Sequence, residues 1–209
     1  MANAENTKYS ILELKEPTAS QLSDTVQVCL NSFKQDDIAL QTLAGGNDPG
    51  HIVAFFRAVI QASARNGKLF VAIEDASQKI MGTAAWWGPG SERADPKPEK
   101  ELWPDVAKFQ ADSVKMLEEC VTAGPNGETN IPWYLNILAV DPSYQKLGIG
   151  RALIEEAQQQ AHGADIMLHC SSQENIRIYT KLGFALKERI EIRGPYGEFE
   201  MSFMVLPSA

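Results

Sequence analysis

The hydrophobic and polar positions after Pro132 change their period from one segment to the next. Residues 133–140 (WYLNILAV) form an apolar run of strand length, whereas residues 148–162 (GIGRALIEEAQQQAH) carry apolar positions at helical spacing. A second strand at 164–171 (ADIMLHCS) and a short helix at 173–183 (QENIRIYTKLG) follow. Strands on either side of a helix predict a right-handed βαβ crossover.

Strand-like segments on both sides of this crossover predict two hairpins. A sheet that contains both kinds of connection is mixed, so the expected class is α+β, or mixed α/β. The hairpin strands are predicted at 68–75 and 79–88, and at 185–192 and 199–207 around a turn at 193–197.

The N-terminal part of the chain combines one strand with a mostly helical region. Residues 9–14 (YSILEL) alternate enough for a first strand, and Ser20 or Ser23 is expected to cap the helix that follows. The segment GGNDPG at 45–50 interrupts the helical pattern, which resumes at 51–67.

A segment rich in proline, glycine and charge at 88–104 separates the first hairpin from the crossover. It leads into an amphipathic helix at about 103–121. We therefore expect a single domain over 1–209 with a helical insertion at about 88–130. The apolar positions of the predicted insertion helix are Val106, Phe109, Val114 and Leu117.

Composition and charge narrow the functional classes. A chain of 209 residues, 44% of them hydrophobic, can bury the core of one domain. A net charge of −8 argues against nucleic acid as a partner, because phosphate backbones need a basic face. The same charge permits a cationic substrate.

Cysteine usage and the N-terminal residues bear on the compartment. Cys29, Cys120 and Cys170 are widely spaced and form no CxxC pair, so neither a disulfide framework nor a metal site is expected. The polar start MANAENTKYS lacks the apolar region of a signal peptide, and no stretch is long enough to span a bilayer. We expect a cytoplasmic protein that does not bind membranes.

The stretch DPSYQKLGIG at 141–150 joins the first crossover strand to its helix. A helix N-terminus carries free N–H groups and a partial positive charge, and Gly148 and Gly150 let an anion approach them closely. Gln145 and Lys146 add a donor and a cation to the same loop. The stretch therefore suits a pyrophosphate, although a plain tight turn is the alternative.

Two other phosphate motifs do not fit this loop. The dinucleotide pattern GxGxxG would require glycine at position 153, which is Leu153, and GxxxxGK[ST] does not occur. A dinucleotide-binding fold and a P-loop nucleotidase are therefore not expected.

Three segments together resemble the GNAT superfamily of N-acyltransferases. Gln145 to Gly150 (QKLGIG) is similar to its acyl-CoA signature Q/R-x-x-G-x-G/A, and the triplet Leu138-Ala139-Val140 precedes it. Ile178 to Phe184 (IYTKLGF) resembles the Y-x-K-x-G-F block of the family. The resemblance is strong over about 131–206, which would be the cofactor-binding core, and looser over 68–87. Fungal and drug-modifying branches look similar.

The resemblance implies a fold, a cosubstrate and a reaction. The fold would be a central mixed, mostly antiparallel sheet flanked by helices, and an amine would attack the thioester of acetyl-CoA directly. Backbone groups of Leu138 and Val140 would pair with the pantetheine arm, and Tyr179 would protonate the leaving thiolate. The pyrophosphate would be held by the amides of Gln145, Lys146, Leu147, Gly148, Ile149, Gly150 and Arg151.

One position departs from the family pattern. Many members have asparagine seven residues before the tyrosine, where it contacts the cofactor, and this chain has Ser172 there. Ser172 could make a shorter contact, or Asn175 could replace it from the next turn of the helix.

Several candidates also have plain structural explanations. Tyr179 has helical spacing with neighbouring apolar residues and could be a core residue, and Arg151 could pair with Glu155. His169 suits a general base at neutral pH, but a lone strand histidine is often structural. Cys170 as a nucleophile is not expected. The adjacent Trp86 and Trp87 should face opposite sides of a strand, so one would be core and the other could line an acceptor pocket.

Two functional classes remain open. The first is an acetyl-CoA-dependent N-acetyltransferase, and the second is a non-catalytic acyl-CoA-binding module of the same fold that acts as a sensor or partner protein. The acceptor could be a small-molecule amine or a protein amine, and the negative charge favours a neutral or cationic one. The sequence does not indicate an oligomeric state.

Overall fold

In the computed structural model, a seven-stranded sheet runs through the protein and helices cover both of its faces. The structure describes residues 8–34, 37–88, 91, 108, 112, 115–116, 118–123 and 129–208. The helices are α1 (Ala19–Ser32), α2 (Ile38–Leu43), α3 (Pro49–Asn66), α4 (Ile149–Ala161) and α5 (Gln173–Lys181). The strands are β1 (Tyr9–Glu13), β2 (Lys68–Glu74), β3 (Ile80–Trp87), β4 (Thr122–Ala123), β5 (Thr129–Asn130), β6 (Trp133–Val140), β7 (Ile166–Cys170), β8 (Ala185–Gly194) and β9 (Gly197–Leu206).

The large sheet has the order β1-β2-β3-β6-β7-β9-β8. Its neighbouring strands pair antiparallel except β6 and β7, which are joined through α4 and run parallel. The short strands β4 and β5 form a separate ribbon. The predicted hairpins, the crossover and the mixed, mostly antiparallel sheet are confirmed.

The predicted cap of the first helix is wrong. Thr18 precedes α1, its hydroxyl accepts a hydrogen bond from the backbone of Gln21 at 3.2 Å, and the Gln21 side chain accepts one from the Thr18 backbone at 3.0 Å. This reciprocal capping box satisfies two helix-end donors, which Ser20 and Ser23 inside the helix do not do. The helical region is also divided before α2, where Asp37 caps a new helix.

The predicted insertion falls largely outside the described residues. Within it, positions 108, 112, 115–116 and 118–119 are helical, and 122–123 pair with 129–130. The four apolar positions of the predicted insertion helix, Val106, Phe109, Val114 and Leu117, lie outside the residues that the structure describes.

Two hydrophobic layers lie on opposite faces of the sheet. On one face α4 and α5 pack over the sheet centre, with Leu153 and Phe184 among the buried residues. On the other face α1 and α3 bury Val26 and Phe56 against β2 and β3. Farther along this second face, Met116 of the insertion packs on Met167, Phe203 and Val205.

A bulge in β6 changes which side chains face each layer. Ala85 lies opposite Ile137 and Trp86 lies opposite Leu135, so Asn136 is an extra residue in β6. Trp133 and Leu135 therefore pack in the α4 layer, whereas Ile137 and Ala139 pack in the α1 layer. Beyond the bulge, Leu138 and Val140 face α4.

Candidate functional site

Strands β6 and β7 diverge and leave a wedge in the centre of the sheet. Their pairing covers three residue pairs, from Trp133 with Ile166 to Leu135 with Leu168. Beyond Leu135, β6 continues to Val140 along β3, while β7 continues to Cys170 along β9. The wedge therefore begins beside the bulge in β6 and opens towards the N-terminus of α4.

The register of β6 directs backbone groups into this wedge. The amide of Asp141 donates to the carbonyl of Met81 at 2.9 Å, so backbone groups at 141 and 139 point towards β3. Antiparallel ladders alternate in direction, so the groups of Leu138 and Val140 point to the open edge instead. An extended chain inserted there could pair with them, as the predicted pantetheine contact requires.

The loop before α4 turns through two left-handed residues. Lys146 has φ of 66° and Gly148 has φ of 83°, and α4 begins directly after Gly148 without a side-chain cap. Glycine adopts this conformation at low cost, whereas Lys146 is strained by it. The first amides of α4 therefore remain without a side-chain acceptor at the mouth of the wedge, which is the expected geometry for binding an anion.

Neither the backbone angle nor crowding within the protein requires a glycine at position 150. A β-carbon there would lie 3.8 Å from Val140 and 3.9 Å from Leu138, which are ordinary contacts. Gly82 differs, because a β-carbon would lie 2.8 Å from Ile149, so its absence allows α4 to sit close to β3. Space at Gly150 is thus left over the wedge, where a ligand could occupy it.

The polar side chains of the loop take different roles. Gln145 donates its side-chain amide to the carbonyl of Val140 at 3.2 Å, so its side chain stabilises the turn. Arg151 lies 3.8 Å from Glu155 at helical spacing, as the structural alternative anticipated. Lys146 is exposed, and Leu147 packs against the α4 layer.

Asp141 connects this loop to the opposite face of the sheet. Its carboxylate accepts hydrogen bonds from the Asn31 side chain at 2.7 Å and from the Ser143 amide at 2.9 Å. Burial raises the pKa of the Asp141 carboxyl, but these hydrogen bonds outweigh it and the pKa lies below its ordinary value. The end of α1 is thereby fixed to the start of the loop that precedes α4.

Replacing Asp141 with alanine should therefore destabilise the protein by about 1–3 kcal/mol, because two donors lose their acceptor. The carboxylate contributes stability above its unfolded pKa of about 3.9, and this contribution disappears as pH falls through the lowered folded pKa. Denaturant unfolding at neutral and acidic pH measures this difference, which should shrink in acid. Asp75→Ala, an exposed control whose carboxylate accepts from Ser10, should change stability little. An Asp141→Ala protein as stable as wild type at neutral pH would contradict this account.

Tyr179 lies on α5 at the α4 side of the wedge. Its ring packs edge-on against Phe184 with 5.5 Å between centroids, and the side chain is half-buried. Burial raises the pKa of the Tyr179 phenol, and nearby Cys170 and Tyr134 raise it further. The phenol therefore stays protonated at neutral pH and can act as a proton donor. It also packs in the core, so both sequence interpretations describe part of its environment.

Ser172 and Asn175 contact each other at the start of α5. The Ser172 hydroxyl caps α5 by accepting a hydrogen bond from the Asn175 amide at 3.1 Å. Both side chains are half-buried near the end of β7. Which of them contacts a cofactor stays a prediction.

On its other face the wedge carries a pair of polar side chains, Tyr134 and His169, of which the sequence analysis identified only His169. The Tyr134 hydroxyl lies 3.1 Å from Nδ1 of His169, and Trp87 lies directly opposite Tyr134 across the strands. Trp86 is buried in the α4 layer, so the two tryptophans face opposite sides as expected. Burial raises the pKa of the Cys170 thiol to about 11, which does not suit a nucleophile.

Sequence reasoning missed the partners that come from distant segments. Asn31 and Asp141 are 110 residues apart, and Tyr134 and His169 are 35 residues apart. The sequence did place Tyr134 and His169 on the two strands of the predicted crossover, which pair in parallel. That placement was the available signal for their contact.

Among the described residues, no helix is long and apolar enough to cross a membrane. The described His, Cys, Asp and Glu residues form no group of three or more that could hold a metal ion.

Comparisons with known proteins agree with this geometry. The family model of the GNAT acetyltransferase domain matches residues 65–186. No curated protein matches the sequence. Many solved structures have the same fold, and several of them are similar over almost the whole chain.

A histone acetyltransferase HPA2-related acetyltransferase from Corynebacterium glutamicum is 22% identical with a TM-score of 0.61, covering 96% of this chain and 97% of its own. Arylalkylamine N-acetyltransferase 2 from Aedes aegypti is 14% identical with a TM-score of 0.66, covering 97% and 99%. The polyamine N-acetyltransferase of Drosophila melanogaster, which forms N-acetylagmatine, is 14% identical with a TM-score of 0.60, covering 95% and 100%. At these identities the likeness shows the fold.

Proposed function

The chain belongs to the GNAT acetyltransferase family, and on that premise we propose that it transfers the acetyl group of acetyl-CoA to an amine by direct attack in a ternary complex. The observation that carries this proposal is the uncapped N-terminus of α4 beside the open edge of β6. A pyrophosphate and an extended amide chain are the two parts of CoA that such a pair of features suits.

In the proposed arrangement, acetyl-CoA would lie along the loop before α4 and the open edge of β6. Amides from Gln145 to Arg151 would hold the pyrophosphate, and the backbone of Leu138 and Val140 would pair with the pantetheine arm. Ala139 supports this edge from below, since it is 2% exposed and packs towards α1. Acetyl-CoA bound in this way would supply an activated acyl group for the acceptor amine.

Tyr179 is proposed as the general acid that protonates the leaving thiolate. It comes from the α4 side, where the pantetheine arm would enter, and its raised pKa keeps its proton available. The direct mechanism needs no nucleophilic side chain, which agrees with the raised pKa of Cys170. Positioning and proton transfer then provide the acceleration.

Initial rates measured over a grid of acetyl-CoA and acceptor concentrations test the ternary complex. Direct attack predicts intersecting reciprocal plots, since both substrates are bound together. Parallel plots would indicate an acyl-enzyme intermediate and would contradict the proposal. Wild-type protein and one simple alkylamine, varied through its KM, are sufficient for this measurement.

The proposed acceptor is a neutral or cationic small amine. The net charge of −8 favours cations in the encounter step, and the similar mosquito and fly structures belong to enzymes whose names refer to arylalkylamines and polyamines. For a cationic acceptor, kcat/KM should fall severalfold as salt rises, because screening weakens long-range attraction. A neutral acceptor at the same salt concentrations is the control. A polyanionic best acceptor would contradict this proposal.

A further inference from the structure

The wedge has a polar pair on the side opposite Tyr179. Tyr134 of β6 and His169 of β7 share the face that carries the insertion, and their side chains meet at a distance of 3.1 Å between the hydroxyl and Nδ1. Both side chains are half-buried. Tyr134 belongs to the stretch of β6 that pairs with β7, and His169 is the first residue of β7 after that pairing ends. The pair therefore stands where the two strands part.

Apolar neighbours hold this pair in place. The ring of Phe203 lies 5.0 Å from that of His169, and the ring of Tyr134 lies 5.7 Å from it on another side. A polar pair inside an apolar wall has a defined geometry and a strengthened hydrogen bond.

The two faces of the wedge thus carry complementary groups. Tyr179 enters from the α4 face, and Tyr134 is close enough to contribute to the raised pKa of Tyr179. An acyl group at the narrow end would have a proton donor on one side and the tyrosine–histidine pair on the other. The attacking amine must lose a proton, and an amine that approaches from the side of the pair would meet it directly.

We propose that Tyr134 and His169 form the relay that accepts the proton of the attacking amine. As the C–N bond forms and the C–S bond breaks, the amine proton passes to the Tyr134 oxygen and the Tyr134 proton passes to Nδ1 of His169. The thiolate takes its proton from Tyr179. After the products leave, the proton on Nδ1 returns through Tyr134 to solvent and Tyr179 recovers a proton from solvent, so the enzyme regains its starting protonation. This proposal rests on the proposed acetyl transfer and adds the group that accepts the proton.

The placement of the histidine supports this order of proton transfer. Nε2 of His169 is buried, whereas Nδ1 faces the Tyr134 hydroxyl. With the ring proton on Nε2, Nδ1 accepts the hydrogen bond that Tyr134 donates. Tyr134 is then the member that meets the amine, and His169 is the base behind it.

Three variants test the relay. Tyr134→Phe keeps the ring and removes the hydroxyl, His169→Gln removes the base, and the double variant combines them. Met167→Leu is the control, because this buried residue packs on the same face without a titratable group. The measurements are kcat with a strongly basic alkylamine and with the weakly basic 2,2,2-trifluoroethylamine, the affinity for CoA and the melting temperature.

We expect each single variant to lose about tenfold to a hundredfold in kcat with the alkylamine, at the low end for general base catalysis. The loss should be smaller with the weakly basic amine, which gives its proton to water readily. The double variant should be no worse than the singles, since both act in one relay. CoA affinity and the Met167→Leu enzyme should stay near wild type.

Full kcat of Tyr134→Phe would overturn the relay while leaving acetyl transfer intact, and that variant decides the matter if His169→Gln does not fold. Equal losses with both amines, or additive losses in the double variant, would also overturn it. Wild-type protein that transfers acetyl to no amine would overturn both the relay and the proposed function.

Discussion

Gly148→Asp should weaken CoA binding by about tenfold to a hundredfold, the equivalent of about 1.4–3 kcal/mol of repulsion between a carboxylate and the pyrophosphate. The side chain would project from the uncapped N-terminus of α4, where the anion is proposed to lie. The fold should survive, because a β-carbon at Gly148 would meet nothing nearer than the Tyr9 hydroxyl at 3.6 Å. Calorimetric titration with CoA measures the affinity.

Two controls separate charge from backbone strain. Gly148→Asn carries a side chain of the same shape and the same left-handed strain without the charge, so it should lose less affinity. Gly163→Asp introduces the same residue at φ of 86° just beyond the other end of α4, where nothing lies within 4 Å of a β-carbon. It should bind CoA as wild type does. Unchanged affinity in folded Gly148→Asp would reject the pyrophosphate site.

Tyr179→Phe should lower kcat by roughly tenfold to a few hundredfold and leave CoA affinity little changed. General acid help is worth about 10²–10⁴ in rate, and a thiolate is already a fair leaving group, so the low end is expected. Phenylalanine keeps the ring that packs on Phe184 and loses the proton that burial retains on the phenol. The proposed pyrophosphate and pantetheine contacts do not involve this hydroxyl.

The control for Tyr179→Phe changes the packing and keeps the hydroxyl. Phe184→Leu removes the packing partner of Tyr179 from the core, where Phe184 is 2% exposed, and keeps the hydroxyl. It should lower the melting temperature more than it lowers kcat. Full kcat of Tyr179→Phe at saturating acetyl-CoA and acceptor would remove Tyr179 from the mechanism.

Local patterns were sufficient to predict most of the fold. Residues 133–140 form a strand where the hydrophobic pattern placed it, because burial of its faces determines the period. Residues 185–192 also form the predicted strand, although Ile192 is the only buried residue among them. The cap at Thr18 was missed because Ser20 is an equally good capping residue. The decisive feature is Gln21 three residues after Thr18, which makes the reciprocal pair possible.

The candidate site depended more on tertiary structure. The left-handed turn at Gly148 follows from glycine at a strand-to-helix junction, and it was predictable. The bulge at Asn136 was not predictable, because an extra residue in one strand can be recognised only once β3 and β6 are paired. The contact of Asn31 with Asp141 and that of Tyr134 with His169 likewise arise only when separate elements are assembled.

Amine-dependent release of free thiol from acetyl-CoA, with the acetylated amine identified by mass spectrometry, tests the central claim most directly. The account predicts one acetylated product for each thiol released with at least one neutral or cationic amine, and only background release without amine. Binding of acetyl-CoA with no amine-dependent thiol release across alkylamines, arylalkylamines, polyamines and peptide N-termini would contradict it and favour a non-catalytic acyl-CoA-binding module.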